Sequence, residues 1–257
     1  KVTVFNIESG ILKREEPIVQ ELANEYLTEQ GITILNDVTL NSVSNDGNKP
    51  VITADGQNYT FDDVLYATGR RPNTTNIGLE NTDITTNERG AIVVNDTCES
   101  SVPGVYAVGD VNGGPQFTYI SLDDFRIVFG ALTGNGHYTL KDRKNIPYTT
   151  FLTPPLARVG LTEEDAINKG YTVKTKEMLV ATMPRAHVND NLKGAFKIVV
   201  DAESNLILGA TLYSQSAEEL INMIKVAMDN NIPYTYFKNQ IFTHPTMAEN
   251  LNDLCNF

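Results

Sequence analysis

The chain has 257 residues, 41% of them hydrophobic, with 20 basic against 32 acidic side chains and a net charge of −12. That length supports one large or two modest cores. The acidic balance argues against nonspecific nucleic-acid binding and against docking on anionic lipid, both of which reward a basic face. No apolar run approaches the roughly 20 residues of a membrane-spanning helix, and the opening "KVTVFNIESG" reads as a strand under way, not a leader. Cys98 and Cys255 stand far apart without CxxC spacing, and His137, His187 and His244 are scattered. No metal site is expected, and free thiols favour the cytoplasm.

In chain order, "KVTVFNI" reads as a strand. A helix is expected over about 16–30, with Pro17 in its first turn and Gly31 as its stop. Its apolar stripe is Val19, Leu22, Ala23, Tyr26 and Leu27. "ITILNDVTLNSVS" then reads as strands, and Asp55-Gly56 marks a hairpin turn between "PVITA" and "NYTF". "DVLYATG" is expected to be a buried strand ending at a glycine. Strand–helix–strand order followed by a small antiparallel flap fits the later part of a nucleotide-binding α/β domain.

From 72 to 144 the expected elements are strands at "GAIVVN" and "GVYAVGD" and a helix over 119–132 with Leu122, Phe125, Phe129 and Leu132 inward. Beyond "DRKNIPYTTF" the character changes again. "TPPLARVGL" reads as a strand, Thr162 caps the "EEDAINK" helix, and Gly170 ends it. "AFKIVVDAESNLILGATLY" is an antiparallel hairpin, and Ser216 with Glu219 forms a capping box for a helix carrying Leu220, Ile221, Ile224 and Met228. The expected division is 1–71, 72–144 and 145–257, the last a separate α+β domain.

Four motifs carry chemistry, each with a plainer explanation beside it. In "YATGRRPN" Gly69 lets backbone approach a ligand and Arg70 offers a guanidinium to a phosphate or ribose edge; taken alone, a strand-end turn with a solvated arginine pair is the favoured explanation. In "VYAVGDVNG" Gly109-Asp110 puts a carboxylate at the carboxyl end of a strand, where ligand hydroxyls are received, or merely starts a turn. Thr118 in "PQFTYISLDDFRIV" would cap a helix whose free N–H groups at about 118–121 suit an electron-rich carbonyl or anion; taken alone, an ordinary capped helix is the favoured explanation. "THPTMAENL" sets His244 and Pro245 ahead of a helix with Glu249 at its third position. Thr246 and Glu249 fit a capping box; the same carboxylate is also placed to fix the tautomer of His244, leaving its other ring nitrogen to handle a proton.

Taken together and in this order, the motifs resemble those of the flavin-dependent pyridine nucleotide–disulfide oxidoreductases, which include glutathione, lipoamide and mercuric reductases. "GGPQFTYISLDDFRIV", "DRKNIPYTTFLTPPLARVGLTEEDA" and "QIFTHPTMAENLNDL" look most like the bacterial reactive-chlorine-resistance flavoproteins. The resemblance covers the whole chain but only the later half of a family member. It implies a fold of α/β plus α+β class: the remainder of a Rossmann-like NAD(P)-binding domain (1–71), the later part of an FAD-binding domain (72–144) and an α+β dimerisation domain with an antiparallel sheet (145–257). Gly69 and Arg70 would lie by the nicotinamide cofactor. Asp110, presented by Gly109, would hold the ribityl hydroxyls of FAD, and Thr118 would sit under the pyrimidine edge of the flavin ring. Phe151 would open the interface domain, and His244, held by Glu249, would serve the thiols of the partner subunit in a homodimer.

The family also needs a Gly-rich FAD-binding unit and a CxxxxC redox disulfide, and this sequence holds neither. Turnover by this chain alone is therefore not expected, and Cys98 is assigned a structural role. The ribose-binding acid falls at Asn6, with Glu8 two residues on and no arginine before Arg14, which leans toward NAD over NADP. The electron acceptor, a disulfide, metal ion or oxidant, is not encoded here. Two other readings stay open: a non-catalytic dimerisation module, and a ferredoxin-reductase-type flavoprotein, against which the His-Pro…Glu motif counts.

Overall fold

A computed structural model describes residues 1–257, which divide into two compact units: residues 1–65 with 145–257, and residues 66–144. In the first unit, β1 (Thr3–Phe5), α1 (Pro17–Glu29) and β2 (Thr33–Leu35) form a strand–helix–strand crossover whose strands pair in parallel, Val4 opposite Ile34. Pro17 occupies the start of α1, where a missing N–H costs nothing. Gly31, at φ +81°, follows the helix end. Val19, Ala23 and Tyr26 form the buried stripe of α1 and pack with Leu156 and Tyr213 of the C-terminal sheet. The Gly194 N–H donates to the Tyr26 hydroxyl oxygen at 2.8 Å.

β3 (Leu40–Asp46), β4 (Lys49–Ala54) and β5 (Gln57–Thr60) make the antiparallel flap. Both residues of the Asp55-Gly56 turn have positive φ, the left-handed pair that matches hairpin twist.

The C-terminal part of this unit is a five-stranded antiparallel sheet in the order β6 (Tyr148–Thr150), β7 (Leu156–Gly160), β10 (Ile207–Tyr213), β9 (Ala195–Asp201), β8 (Val173–Leu179). α3 (Glu163–Asn168) joins β7 to β8, and α4 (Pro184–Val188) precedes β9. α5 (Ala217–Asp229) packs on β7 and β10, and the short α6 (Tyr234–Lys238) and α7 (Asn250–Leu254) complete the core. Phe196, Ile198, Val200 and Leu212 bury against Ile221, Ile224, Leu251 and Leu254; each such side chain removed from water is worth about 1.5–3 kcal/mol.

Thr162 caps α3 through a complete box with Asp165. The box expected at Ser216 is absent: Ser216 sits in the left-handed region at φ +65°, and its backbone carbonyl, not its hydroxyl, accepts from the Glu219 N–H at 3.2 Å.

Residues 66–144 depart most from expectation. α2 (Thr118–Thr133) forms, but Leu122, Phe125, Phe129 and Leu132 are exposed, and its inward face is Ile120, Asp124 and Ile127. The helical period holds and its expected phase does not, because an acidic residue with buried partners occupies the inward side. "GAIVVN" and "GVYAVGD" are not ladder strands. They carry only the isolated bridges Thr86–Ile92 and Glu99–Tyr106. "DVLYATG", expected to be a buried strand, has no strand partner, and Leu65 is 90% exposed.

Candidate functional site

The sharpest geometry lies at the C-terminal end of the first unit. The chain reaches a cis His244–Pro245 peptide and then the short α7. The Thr246 hydroxyl accepts from the Glu249 N–H at 3.2 Å. The reciprocal half of the capping box is missing, and Glu249 is the residue just before α7, not its third. The Glu249 carboxylate turns instead to His244, with Oε2 at 2.8 Å from Nδ1. The imidazole is 72% exposed and the carboxylate side chain 17% exposed. The other oxygen, Oε1, is buried without a hydrogen-bond partner. Thus a largely sunk acid grips one nitrogen of an open ring. A carboxylate partner on Nδ1 makes that nitrogen the donor and leaves Nε2 as the one facing outward with a lone pair.

In the unit of residues 66–144, Gly109–Asn112 form a single tight turn packed on α2. Gly109 has φ +70°, and a Cβ there would lie 2.5 Å from Ser121 Oγ, so only glycine suits the position. Asp110 is exposed beside it. Thr118 does not cap α2: Phe117 is the cap residue and no side chain bonds the helix start. The N–H groups of Ile120 and Ser121 are taken by the Phe117 carbonyl, which leaves those of Thr118 and Tyr119 as the first-turn amides not bonded to it. An exposed carboxylate and a pair of helix-start amides fit the hydroxyl chain and carbonyl edge of a flavin cofactor in donor and acceptor type. Gly69, at φ +104°, and Arg70 are exposed in a segment without regular structure.

At the other motif, Asn6 is spent on local structure: its side-chain amide donates to Asn36 Oδ1 at 2.9 Å and to the Glu8 carbonyl at 3.1 Å. Glu8 itself is exposed. Both cysteines are buried and free. Burial pushes the Cys98 thiol up to about 11, helped by the Asp124 carboxylate, and pushes Cys255 up to about 12. Neither is a prepared nucleophile.

Two arrangements lie outside the sequence motifs. Asp124, Asp123 and Arg143 form a buried ion-pair group beneath the Gly109 turn. Lys197, in the middle of β9, meets Glu16, Glu163 and Glu177 at 2.9, 2.7 and 3.0 Å. The available signals were a double acid inside an apolar helix and a lone lysine inside "AFKIVV". A cleft of about 660 Å³, lined in part by Lys13, Glu15, Arg158 and Lys197, lies at this second group; neither Asp110 nor His244 lines it.

Residues 1–124 match the profile described as pyridine nucleotide-disulphide oxidoreductase, and residues 146–255 match the dimerisation domain of the same enzymes. The chain belongs to the pyridine nucleotide–disulfide oxidoreductase family. It is 41% identical over 254 residues to the probable pyridine nucleotide-disulfide oxidoreductase RclA of Escherichia coli, covering 99% of this chain and 58% of that protein. It is 34% identical to a mercuric reductase of Staphylococcus aureus, across 98% of this chain and 46% of that one. Among solved structures, the HOCl-induced flavoprotein disulfide reductase RclA from Escherichia coli superposes with a TM-score of 0.94 at 41% identity, covering 99% of this chain and 59% of that one. The α/β plus α+β class with an antiparallel C-terminal sheet is the family's fold, and its members use FAD and NAD(P)H. The chain thus spans about half the length of these relatives. No helix is long and apolar enough to cross a membrane.

Proposed function

We propose that the whole protein is a homodimeric, cytoplasmic flavoenzyme that takes electrons from a nicotinamide nucleotide and delivers them through FAD and a cysteine pair to a disulfide, metal ion or oxidant. Residues 1–71 would be the later part of its NAD(P)-binding domain, 72–144 the later part of its FAD-binding domain and 145–257 its dimerisation domain. When bound, the flavin supplies the two-electron exchange between nicotinamide and thiols. This chain's own residues hold the cofactors and move the proton. Asp110 receives ribityl hydroxyls, the amides at Thr118 and Tyr119 meet a ring carbonyl, and Gly69 and Arg70 line the nicotinamide side. Glu8 takes the adenosine ribose, which favours NAD. His244 exchanges a proton with a thiol of the partner subunit, Nε2 outward, while Glu249 holds Nδ1.

The observation that carries this reading is the 2.8 Å contact between His244 Nδ1 and a mostly buried carboxylate, on a ring that is itself open to solvent. A tautomer-fixed, exposed imidazole is suited to general acid–base work and adds little to packing. In the whole enzyme, His244→Gln is expected to slow the thiol-linked half of turnover by roughly 10²–10⁴ while leaving flavin reduction by NADH near its normal rate. Thiol-linked turnover close to wild type in that variant would remove the proton-handling role.

A further inference from the structure

We propose that Asp124, anchored by Arg143, is the positioning residue that shapes the Gly109–Asp110 turn for cofactor hydroxyls; this rests on the FAD reading above. The Asp124 side chain is fully buried, at 0% exposure. Its Oδ2 accepts from the Gly109 N–H at 2.7 Å and from Asn112 Nδ2 at 2.9 Å, so one oxygen ties both ends of the turn. Its Oδ1 accepts from a guanidinium N–H of Arg143, whose Nε donates to Asp123 at 2.8 Å. Asn112 passes the restraint on, its Oδ1 accepting from the Gly114 N–H at 3.0 Å.

Stability alone gives no reason for this arrangement. Aspartate is a poor interior helix residue, and burying a carboxylate is costly unless it is fully bonded. Yet α2 turns Asp124 inward while Leu122, Phe125, Phe129 and Leu132 remain exposed. The turn is also pressed onto α2 at Ser121, so a shift of the Gly109 amide moves the next residue, Asp110, directly. An acceptor fixed by three donors is what a ligand-presenting turn requires, because the bonds to backbone set the direction of the neighbouring side chain.

The test uses the whole protein with Asp124→Asn, Arg143→Gln, Arg143→Lys and Asp110→Asn, and FAD as the probe. Three quantities are read: amide exchange at Gly109, FAD affinity from flavin fluorescence, and the visible circular dichroism of bound flavin at saturation. Asp124→Asn is expected to speed Gly109 exchange and weaken FAD by about tenfold or more each, with an altered flavin dichroism. Asp110→Asn weakens FAD but leaves Gly109 exchange unchanged. Arg143→Gln moves all three readouts in the direction of Asp124→Asn, and Arg143→Lys, which returns a cation to Asp124, recovers part of the loss; this pair decides the matter where Asp124→Asn lacks native far-ultraviolet dichroism. If Asp110→Asn weakens FAD while Asp124→Asn and Arg143→Gln bind it within twofold of wild type and with the same dichroism, the positioning role is overturned and the cofactor reading survives. If the whole wild-type protein does not bind FAD, or Asp110→Asn binds as wild type does, the cofactor reading falls and takes this proposal with it.

Discussion

Lys197→Met isolates the energetics of the buried charge group that ties the segment before α1 to the C-terminal sheet. The lysine is 6% exposed and Glu16 only 2%, whereas Glu163 and Glu177 are 36% and 43% exposed. The two exposed carboxylates lose about 0–1 kcal/mol each when the cation goes, since water screens them. Glu16 is left charged and buried, a situation that costs roughly 3–5 kcal/mol. The lower end applies, because Glu16 keeps the Glu163 N–H at 2.8 Å. The expected loss is therefore about 3 kcal/mol, or a fall in melting temperature of ~6–12 °C, read by urea and thermal unfolding with far-ultraviolet dichroism. Glu16→Gln combined with Lys197→Met removes the stranded charge and should recover about 1–2 kcal/mol. The pH dependence has a fixed sign. Burial alone would lower the Lys197 pKa, but Glu163, Glu16 and Glu177 outweigh it and raise the pKa above its ordinary value. Its contribution is thus complete below the unfolded lysine value of about 10.4 and is lost as pH climbs beyond it, so the alkaline decline should be shallower in the variant. A loss under about 1 kcal/mol, or a double variant no more stable than the single one, refutes this reasoning.

The other predictions concern the candidate sites. Glu249→Gln should change the His244 tautomer balance seen by nitrogen NMR, reducing the Nδ1–H form; an unchanged spectrum means the 2.8 Å contact is not what holds the ring. Cys98 and Cys255 should resist iodoacetamide at pH 8 in the folded chain and both react in denaturant, because burial raises both thiols; stability should fall as pH rises from the ordinary thiol value toward about 11 and 12. Gly109→Ala forces a side chain at φ +70° and should cost about 1–2 kcal/mol while weakening FAD binding; unchanged binding would show that the turn does not face the cofactor.

What could be read from the sequence followed local physics. Pro17, the Val19–Ala23–Tyr26 spacing and Gly31 define α1 without help from tertiary contacts, and Asp55-Gly56 specifies its hairpin by backbone conformation alone. The apolar alternation from Ala195 to Tyr213 likewise predicts two paired strands. The failures share one cause: they depend on what lies opposite. Leu65 and Val108 look like strand residues, but a strand needs a ladder partner, and neither residue lies in a sheet. In α2 the apolar period could be seen, while its phase was set by Asp124 reaching Gly109, Asn112 and Arg143, partners 12 to 19 residues away. At the candidate active site, sequence spacing allowed Glu249 either to cap a helix or to hold His244. Only the three-dimensional arrangement shows its carboxylate on the imidazole, with the helix start served by Thr246.

The central claim is that His244 serves thiols belonging to the other subunit. Mixing whole-protein subunits that carry His244→Gln with subunits whose redox cysteines are replaced by serine tests it most directly. Each parent dimer is inactive, but a mixed dimer with two-fold symmetry keeps one site in which an intact cysteine pair faces an intact imidazole. Random reassortment should then restore about a quarter of wild-type activity. No recovery above the two parents, with mixed dimers demonstrably formed, would show that the imidazole acts within its own subunit or not at all.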